Sequence, residues 1–140
     1  MIRYLDASAL VKLLVDEAES LALRSHLKRL RQPGVTSLVG VTQTSIAAAR
    51  RGATTHAQAA IADTRWLRLP GHNVVGLDVT PEIAQLAARH GGTLGLRTLD
   101  AIHVATAQAI RGSLSEVVTY DTAMIAACQA LELPVVSPGA

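Results

Sequence analysis

Three aspartates stand at positions from which they could hold a metal ion together. Asp6 ends the first β-like run of the chain, and Asp121 ends the fourth, in the segment 117–121. Asp100 lies in the first turn of a helix predicted to begin near Thr98. Acids that follow parallel strands collect at the edge of the sheet where ligands of open α/β folds bind. We therefore expect Asp6 and Asp121 to share one edge, and Asp100 to join them if its helix begins there.

Each aspartate alone has a purely structural explanation. Asp6 and Asp121 stand where a side-chain oxygen caps a following helix, and Asp100 is a first-turn acid that favours the helix dipole. Gathered together, however, carboxylates repel one another, and the pKa of one of them rises. Mg²⁺ or Mn²⁺ prefers oxygen ligands and relieves that repulsion. The combination therefore predicts a divalent-metal site.

The charge balance favours a polyanionic substrate for such a site. The 140 residues include thirteen Lys and Arg against eleven Asp and Glu, a formal net charge of +2, and eleven of the thirteen bases are Arg. Arg makes forked contacts with phosphate, and a metal ion in an acidic notch activates water. A phosphodiesterase acting on nucleic acid fits both features. With aromatic residues at only 2%, stacking of bases on aromatic rings would contribute little.

The composition is that of one globular domain, expected over residues 1–140. Hydrophobic residues make up 49% and charged residues 17%, which excludes a disordered chain. The one cysteine, Cys128, cannot form an internal disulfide, so we expect a reducing compartment, the cytoplasm. No apolar stretch approaches the roughly 20 residues of a membrane span.

Strand-like and helix-like segments alternate along the chain. The β-like runs are Ile2–Leu5, a short run around Val35, Val74–Leu77, Glu116–Thr119 and Pro134–Val136. Helices are predicted at about 8–15, 17–31, 38–51, 55–68, 81–90, 98–111 and 122–131. This alternation predicts parallel strands joined by crossover helices, an α/β layered fold.

Some helix ends carry recognisable signals. Thr80-Pro81-Glu82 is typical of a helix start, with a capping hydroxyl, a first-turn proline and an acid near the positive end of the dipole. Gly91 is expected to stop that helix. Thr98 is expected to cap the next helix and Gly112 to end it.

Three segments resemble the motifs of PIN-domain ribonucleases, especially VapC-type toxins of bacterial toxin–antitoxin pairs. The segment 6–13, DASALVKL, resembles the opening motif, and 96–107, LRTLDAIHVATA, resembles the central one. The segment 117–121, VVTYD, is similar to the third, and 134–138 is similar to the closing strand. The resemblance runs from residue 1 to about 138. The first motif alone is weak, whereas the three in this order are specific.

The resemblance implies a three-layer α/β/α PIN fold with a central parallel sheet, usually in a homodimer. It implies an endoribonuclease that depends on Mg²⁺ or Mn²⁺ and cuts structured RNA of the tRNA or rRNA class. It also implies a VapB-type antitoxin that covers the active-site groove. The residues carried over are Asp6, Asp100 and Asp121, as catalytic and metal-binding acids, and Ser8, as a hydroxyl that supports the metal site.

One acid of the family is missing. The family normally has a Glu in the helix after the second strand, and the matching helix of this chain contains no acid. Gln43 is the best match to that catalytic position, with Thr42 or Ser45 as alternatives. Glutamine has nearly the shape of glutamate and offers a carbonyl oxygen, but it has no charge and cannot take a proton as a carboxylate does. The chain is therefore either an endoribonuclease, disarmed or weakened at this position, or a catalytically dead PIN domain that binds RNA or antitoxin.

Four basic side chains near these motifs are further candidates. His103 lies on the same helix face as Asp100 and could bind substrate or hydrogen-bond that acid, although a satisfied, half-buried histidine is the commoner case. Arg97, next to the acids, is a candidate for substrate binding. Arg50 and Arg51 end a predicted helix, where they complement its dipole; contact with phosphate or antitoxin is the alternative.

Two rival enzyme classes also place acids at strand ends. A phosphoryl-transfer signalling domain needs a Lys near the last strands, but the last Lys of this chain is Lys28. A phosphatase of the haloacid type needs a second Asp two residues after the first, where this chain has Ser8. Neither class fits. Trp66 is expected in the core or at a dimer contact, not under a nucleic-acid base.

Overall fold

The computed structural model describes residues 1–52, 65–69 and 71–140. Its strands are β1 (Ile2–Leu5), β2 (Gly34–Ser37), β3 (Trp66–Leu69), β4 (His72–Leu77), β5 (Leu114–Val118) and β6 (Val135–Val136). Its helices are α1 (Ala7–Leu14), α2 (Ser20–Arg29), α3 (Leu38–Arg50), α4 (Pro81–Leu94), α5 (Thr98–Ala109) and α6 (Thr122–Ala130). None of the helices in these ranges is long and apolar enough to cross a membrane.

The described strands form one sheet in the order β3-β4-β2-β1-β5-β6. Neighbouring strands are parallel except β3 and β4, which are antiparallel. The chain leaves β1 toward β2 on one side and returns to β5 on its other side. Such a reversal of strand order opens a crevice at the carboxyl ends of the strands. The expected α/β fold with a central parallel sheet is confirmed, with one antiparallel strand at its edge.

Side chains of β1 support a core on each face of the sheet. Leu5 packs with Leu10 of α1 and Leu23 of α2. Tyr4 points to the opposite face and packs with Val104 of α5 and Met124 of α6. These six side chains are completely buried. Because successive side chains of a strand alternate between faces, a central strand buried on both sides holds the two helical layers in register.

The prediction of a helix at about 55–68 is wrong at its C-terminal end, the part that the structure describes. Residues 66–69 form β3, and residues 53–64 lie outside the described part of the chain. The side chains of β3 alternate between exposed and buried, which is the period of a strand with one face toward solvent. Trp66 is 44% exposed, so the expectation of a core position for it is wrong.

Three helix ends also differ from the sequence signals. α4 continues past Gly91 to Leu94 and is capped by Gly95, whose φ of 65° is a left-handed conformation that glycine adopts without strain. Thr80 caps α4 as expected, accepting from the N–H three residues later. Thr98 is the first residue of α5 rather than its cap, and α5 ends before Gly112 is reached.

Gly40 lets α3 pack closely against its neighbours, and this contact can be tested. A Cβ at position 40 would lie 2.5 Å from Thr36 Oγ1 and 2.8 Å from His103 Cε1. We expect Gly40→Ala to lower the free energy of unfolding by about 1–3 kcal/mol, because both neighbours are buried. Gly92→Ala in α4 is the matched control: its Cβ meets nothing within 4 Å, so helix propensity should raise stability by up to about 1 kcal/mol. Denaturant unfolding measures both, and equal effects would contradict the packing argument.

Candidate active site

Asp6 is a buried carboxylate at the junction of β1 and α1. Its Oδ1 accepts hydrogen bonds from the Ser8 hydroxyl at 2.6 Å and the Ala9 N–H at 3.1 Å. Its Oδ2 accepts from the Thr119 hydroxyl at 2.6 Å. Burial raises the pKa of Asp6 to about 6; these hydrogen bonds oppose the rise, and the charge of Asp121 adds to it. Asp6 is therefore both the cap of α1 and a carboxylate whose negative charge is costly.

Thr119 connects Asp6 to Asp121. Its hydroxyl donates to Asp6 and accepts from the Asp121 N–H at 3.1 Å. Asp121 in turn caps α6, with its Oδ1 accepting from the Met124 N–H at 3.0 Å. Sequence reasoning did not single out Thr119. The sequence feature that could have identified Thr119 is a hydroxyl residue at the end of a buried strand, two residues before an acid.

Asp100, in the first turn of α5, lies within electrostatic reach of Asp121. Burial raises the pKa of Asp100, the charge of Asp121 raises it further, and Arg97 lowers it. α5 thus begins at the edge of the sheet where β1 and β5 end, although it follows a helix in the chain. The structure thus places Asp121 within electrostatic reach of both Asp6 and Asp100, and Arg97 beside Asp100.

The donor set fits a hydrated divalent ion better than an enclosed one. The charge of Asp121 raises the pKa of both Asp6 and Asp100, so a cation near these oxygens would relieve repulsion. Over the described ranges, however, no three His, Cys, Asp or Glu side chains are grouped closely enough to hold a metal ion by themselves. Mg²⁺ usually keeps several waters and takes one or two carboxylates directly, which this arrangement can supply.

A groove of about 660 Å³ opens beside the acids. Ser8, Gln43 and Asp121 are among its lining residues. Of the positions considered for the missing acid, Gln43 is the one in this groove: Thr42 lines a different cavity, and Ser45 is buried in the interior. The geometry therefore favours Gln43 as the counterpart of the family's Glu.

The side chain of Gln43 forms a hydrogen bond with a buried histidine. Its Oε1 lies 2.6 Å from His103 Nε2, and His103 Nδ1 lies 2.6 Å from the Tyr4 hydroxyl. Burial lowers the pKa of His103 to about 4, so the ring is neutral near neutral pH. His103 is a satisfied histidine, more deeply buried than expected, and it makes no hydrogen bond to Asp100 among the described residues.

Ion pairs tie the other wall of the groove together. Arg51 Nη1 lies 2.8 Å from Glu17 Oε1, and Lys12 Nζ lies 2.8 Å from Glu19 Oε2. Arg51 therefore does more than complement a helix dipole, because it joins the end of α3 to the loop before α2. Arg50 also lines the groove and has no ion-pair or hydrogen-bond partner in the described ranges. It remains available to a polyanion.

A parallel sheet with carboxylates at its carboxyl edge defines a class of α/β proteins suited to metal-assisted chemistry on phosphate. This chain belongs to the PIN-domain family, whose model matches residues 3–130. Ribonuclease VapC46 of Mycobacterium tuberculosis is 39% identical over 139 residues, 96% of each protein. The resemblance drawn from the motifs is confirmed.

Solved structures show the same fold at lower identity. The crystal structure of Mycobacterium tuberculosis VapC20, described as a sarcin–ricin loop cleaving toxin, matches with a TM-score of 0.73 at 17% identity, over 97% of this chain and 99% of that one. A toxin–antitoxin complex from Klebsiella pneumoniae matches with a TM-score of 0.68 at 20% identity, over 97% of both chains. Both likenesses support the three-layer architecture.

The raised pKa of Asp6 predicts a pH-dependent stability for the metal-free protein. The pKa rises from an ordinary value of 3.8 to about 6 in the folded state, so folding favours the neutral acid. The stabilisation of the folded state by protonated Asp6 is fully present below about pH 4 and is lost as the pH rises through about 6. We expect Asp6→Asn to be more stable than the parent near neutral pH in chelator, by up to about 3 kcal/mol in the free energy of unfolding, and so to melt at a higher temperature. This difference should shrink toward pH 4.

Asp16→Asn is the control for this measurement, because the Asp16 side chain is 87% exposed. It should show no comparable gain at neutral pH. If the difference in stability between Asp6→Asn and the parent is the same at every pH, ionisation of Asp6 does not destabilise the folded protein as we expect.

Proposed function

We propose that this protein is the toxin endoribonuclease of a type II toxin–antitoxin pair, hydrolysing RNA with Mg²⁺ or Mn²⁺. The observation that supports the proposal is that Asp121 lies within electrostatic reach of both Asp6 and Asp100, in a chain 39% identical to a named ribonuclease. The RNA is of the tRNA or rRNA class that the family resemblance implies. The basic balance of the chain suits such a polyanion.

The roles of the acids follow from their exposure. Asp100 and Asp121 are partly exposed and would hold the ion, while buried Asp6 supplies negative charge from behind them. A bound ion would supply Lewis acidity to activate water and to stabilise the charge that develops at phosphorus. Ser8 and Thr119 fix the orientation of Asp6 through their hydrogen bonds.

Basic side chains around the acids would position the RNA backbone. Arg97 lies close enough to Asp100 to lower its pKa, and Arg50 lines the groove. Guanidinium groups at these places can bind the phosphates on either side of the bond to be cut. They raise affinity without reading the sequence, since phosphate contacts position the nucleic acid and base contacts specify it.

An antitoxin of the VapB type is the proposed partner. Ile46 and Leu99 line the groove and are 48% and 40% exposed, which offers apolar anchors beside a negative notch. An Arg of the partner that reaches the acids would replace the cation electrostatically. We also propose a homodimer, as the family implies, and a cytoplasmic location, which suits the buried free thiol of Cys128.

The second candidate function is a PIN domain that binds RNA or antitoxin without cutting. It is favoured by one observation: the side-chain oxygen of Gln43 is already bonded to His103 and offers no charge to a metal ion. Both candidate functions use the same groove, so an assay of RNA cleavage is needed to distinguish them.

Cleavage by metal-activated water predicts defined product ends. We expect hydrolysis of tRNA or ribosomal RNA in Mn²⁺ to leave 5′-phosphate and 3′-hydroxyl ends, because buried, neutral His103 cannot act as an acid–base partner of the RNA 2′-hydroxyl. Asp100→Asn should abolish cleavage and weaken Mn²⁺ binding in calorimetry while keeping the fold. Cyclic 2′,3′-phosphate ends, or cleavage in excess chelator, would rule this mechanism out.

Restoring the carboxylate at position 43 should strengthen the site. In Gln43→Glu one oxygen can keep the bond to His103 while the other faces the groove with negative charge. A charge-assisted contact of this kind contributes about 1.5–3 kcal/mol, so Mn²⁺ affinity should rise roughly ten- to a hundredfold. RNA cleavage should rise with it, and expression should become toxic unless the antitoxin is co-expressed.

Thr42→Glu is the matched control, because it adds the same charge one residue away in a different cavity. It should leave Mn²⁺ affinity and cleavage close to those of the parent. If Gln43→Glu binds Mn²⁺ no better than Thr42→Glu does, position 43 is not the missing acid. If Gln43→Glu also cuts no RNA, the binding module becomes the better function.

A further inference from the structure

A chain of hydrogen bonds behind Gln43 has a defined direction. The Ser37 N–H lies 3.1 Å from the Tyr4 hydroxyl oxygen, and a peptide N–H can only donate, so Tyr4 accepts there. The shortest contact of the same hydroxyl, at 2.6 Å, is with His103 Nδ1. The Tyr4 hydrogen is therefore placed to be donated to Nδ1.

The direction continues through His103 to Gln43. A neutral imidazole has one donor and one acceptor nitrogen, so a ring that accepts at Nδ1 donates at Nε2. Nε2 lies 2.6 Å from Gln43 Oε1, which accepts. In the reverse arrangement Nε2 would carry no hydrogen and would face Gln43 Oε1 across 2.6 Å, and an amide oxygen cannot donate to it.

The amide of Gln43 is thus oriented with its oxygen toward the interior. Its NH₂ group lies on the other side of the same carbon, and among the described residues no acceptor binds it. Gln43 is only partly buried and lines the groove beside Ser8 and Asp121. The groups that Gln43 presents to the groove are therefore its two N–H donors.

We infer that Gln43 is a hydrogen-bond donor to a phosphate oxygen of the RNA and not a metal ligand. His103 and Tyr4 are positioning residues that fix the orientation of its amide. The inference rests on the proposed function, since it names the group that Gln43 contacts when RNA fills the groove. Non-bridging phosphate oxygens are acceptors, and a neutral donor suits them better than the carboxylate that the family normally carries.

The protonation of His103 tests the orientation without any assay of activity. Nitrogen NMR of the imidazole distinguishes the two neutral tautomers. We expect the free protein at neutral pH to hold the hydrogen on Nε2, and Tyr4→Phe to change the Nδ1 resonance most. A hydrogen on Nδ1 would reverse the amide and overturn the inference, as would a charged ring.

RNA binding in the absence of metal tests the donor role. The probe is a fluorescein-labelled RNA hairpin, followed by anisotropy in excess chelator so that neither cleavage nor metal binding contributes. Gln43→Ala should weaken binding about three- to tenfold, the effect expected for a neutral hydrogen bond. Its Mn²⁺ affinity in calorimetry should equal that of the parent. Thr42→Ala, outside the groove, should change neither.

A double-mutant cycle tests whether His103 acts through Gln43. His103→Phe should weaken hairpin binding in the parent and have no further effect in the Gln43→Ala background, whereas a general loss of packing would add to it. Thermal melting confirms that each variant is folded, and Tyr4→Phe serves in the same cycle if His103→Phe does not fold.

The outcomes separate this inference from the proposed function. Lower Mn²⁺ affinity in Gln43→Ala, with unchanged hairpin binding in chelator, would make Gln43 a metal ligand and overturn the inference. No measurable binding of the hairpin by the parent would overturn it as well. Failure of every variant to cut RNA would instead count against the nuclease, while the hairpin data still decide what Gln43 contacts.

Discussion

The site depends on a single carboxylate buried at the end of the central strand. Asp6 would be costly to ionise there without the hydroxyls of Ser8 and Thr119 and the Ala9 N–H. Those hydrogen bonds also tie the ends of β1 and β5 to the start of α1. The capping role and the proposed metal-site role of Asp6 are therefore one arrangement, because the oxygens that begin the helix also bring negative charge to the crevice.

The part of this arrangement that follows a general rule was predictable from sequence. Asp6 and Asp121 follow buried strands, and parallel strands present their carboxyl ends at one edge, so their grouping needed no coordinates. β3 was missed because its four residues carry only two buried positions, too short a pattern to outweigh a helical interpretation. The Arg51–Glu17 ion pair joins residues 34 positions apart, and no local pattern announces it.

His103 shows where spacing stops being informative. A separation of three residues from Asp100 places both on one helix face, but it does not say which part of that face is buried. The side chain turns inward, to a hydroxyl contributed by a residue 99 positions away. Its neutral state then follows from burial. The role of position 103 is thus set by tertiary packing on the sheet, which the motif alone cannot specify.

The proposed exchange of the family's acid for an amide at position 43 would change more than net charge. The carbon skeleton and the bond to His103 are preserved, yet the atom turned toward the groove becomes nitrogen instead of oxygen. Asp121 already raises the pKa of Asp6 and of Asp100, and a fourth carboxylate in the groove would add to that repulsion. The amide therefore avoids additional repulsion between carboxylates in the metal-free protein, but it also reduces the attraction for a cation. In the role proposed for Gln43, a single isosteric replacement would make the groove less suited to a metal ion and better suited to phosphate.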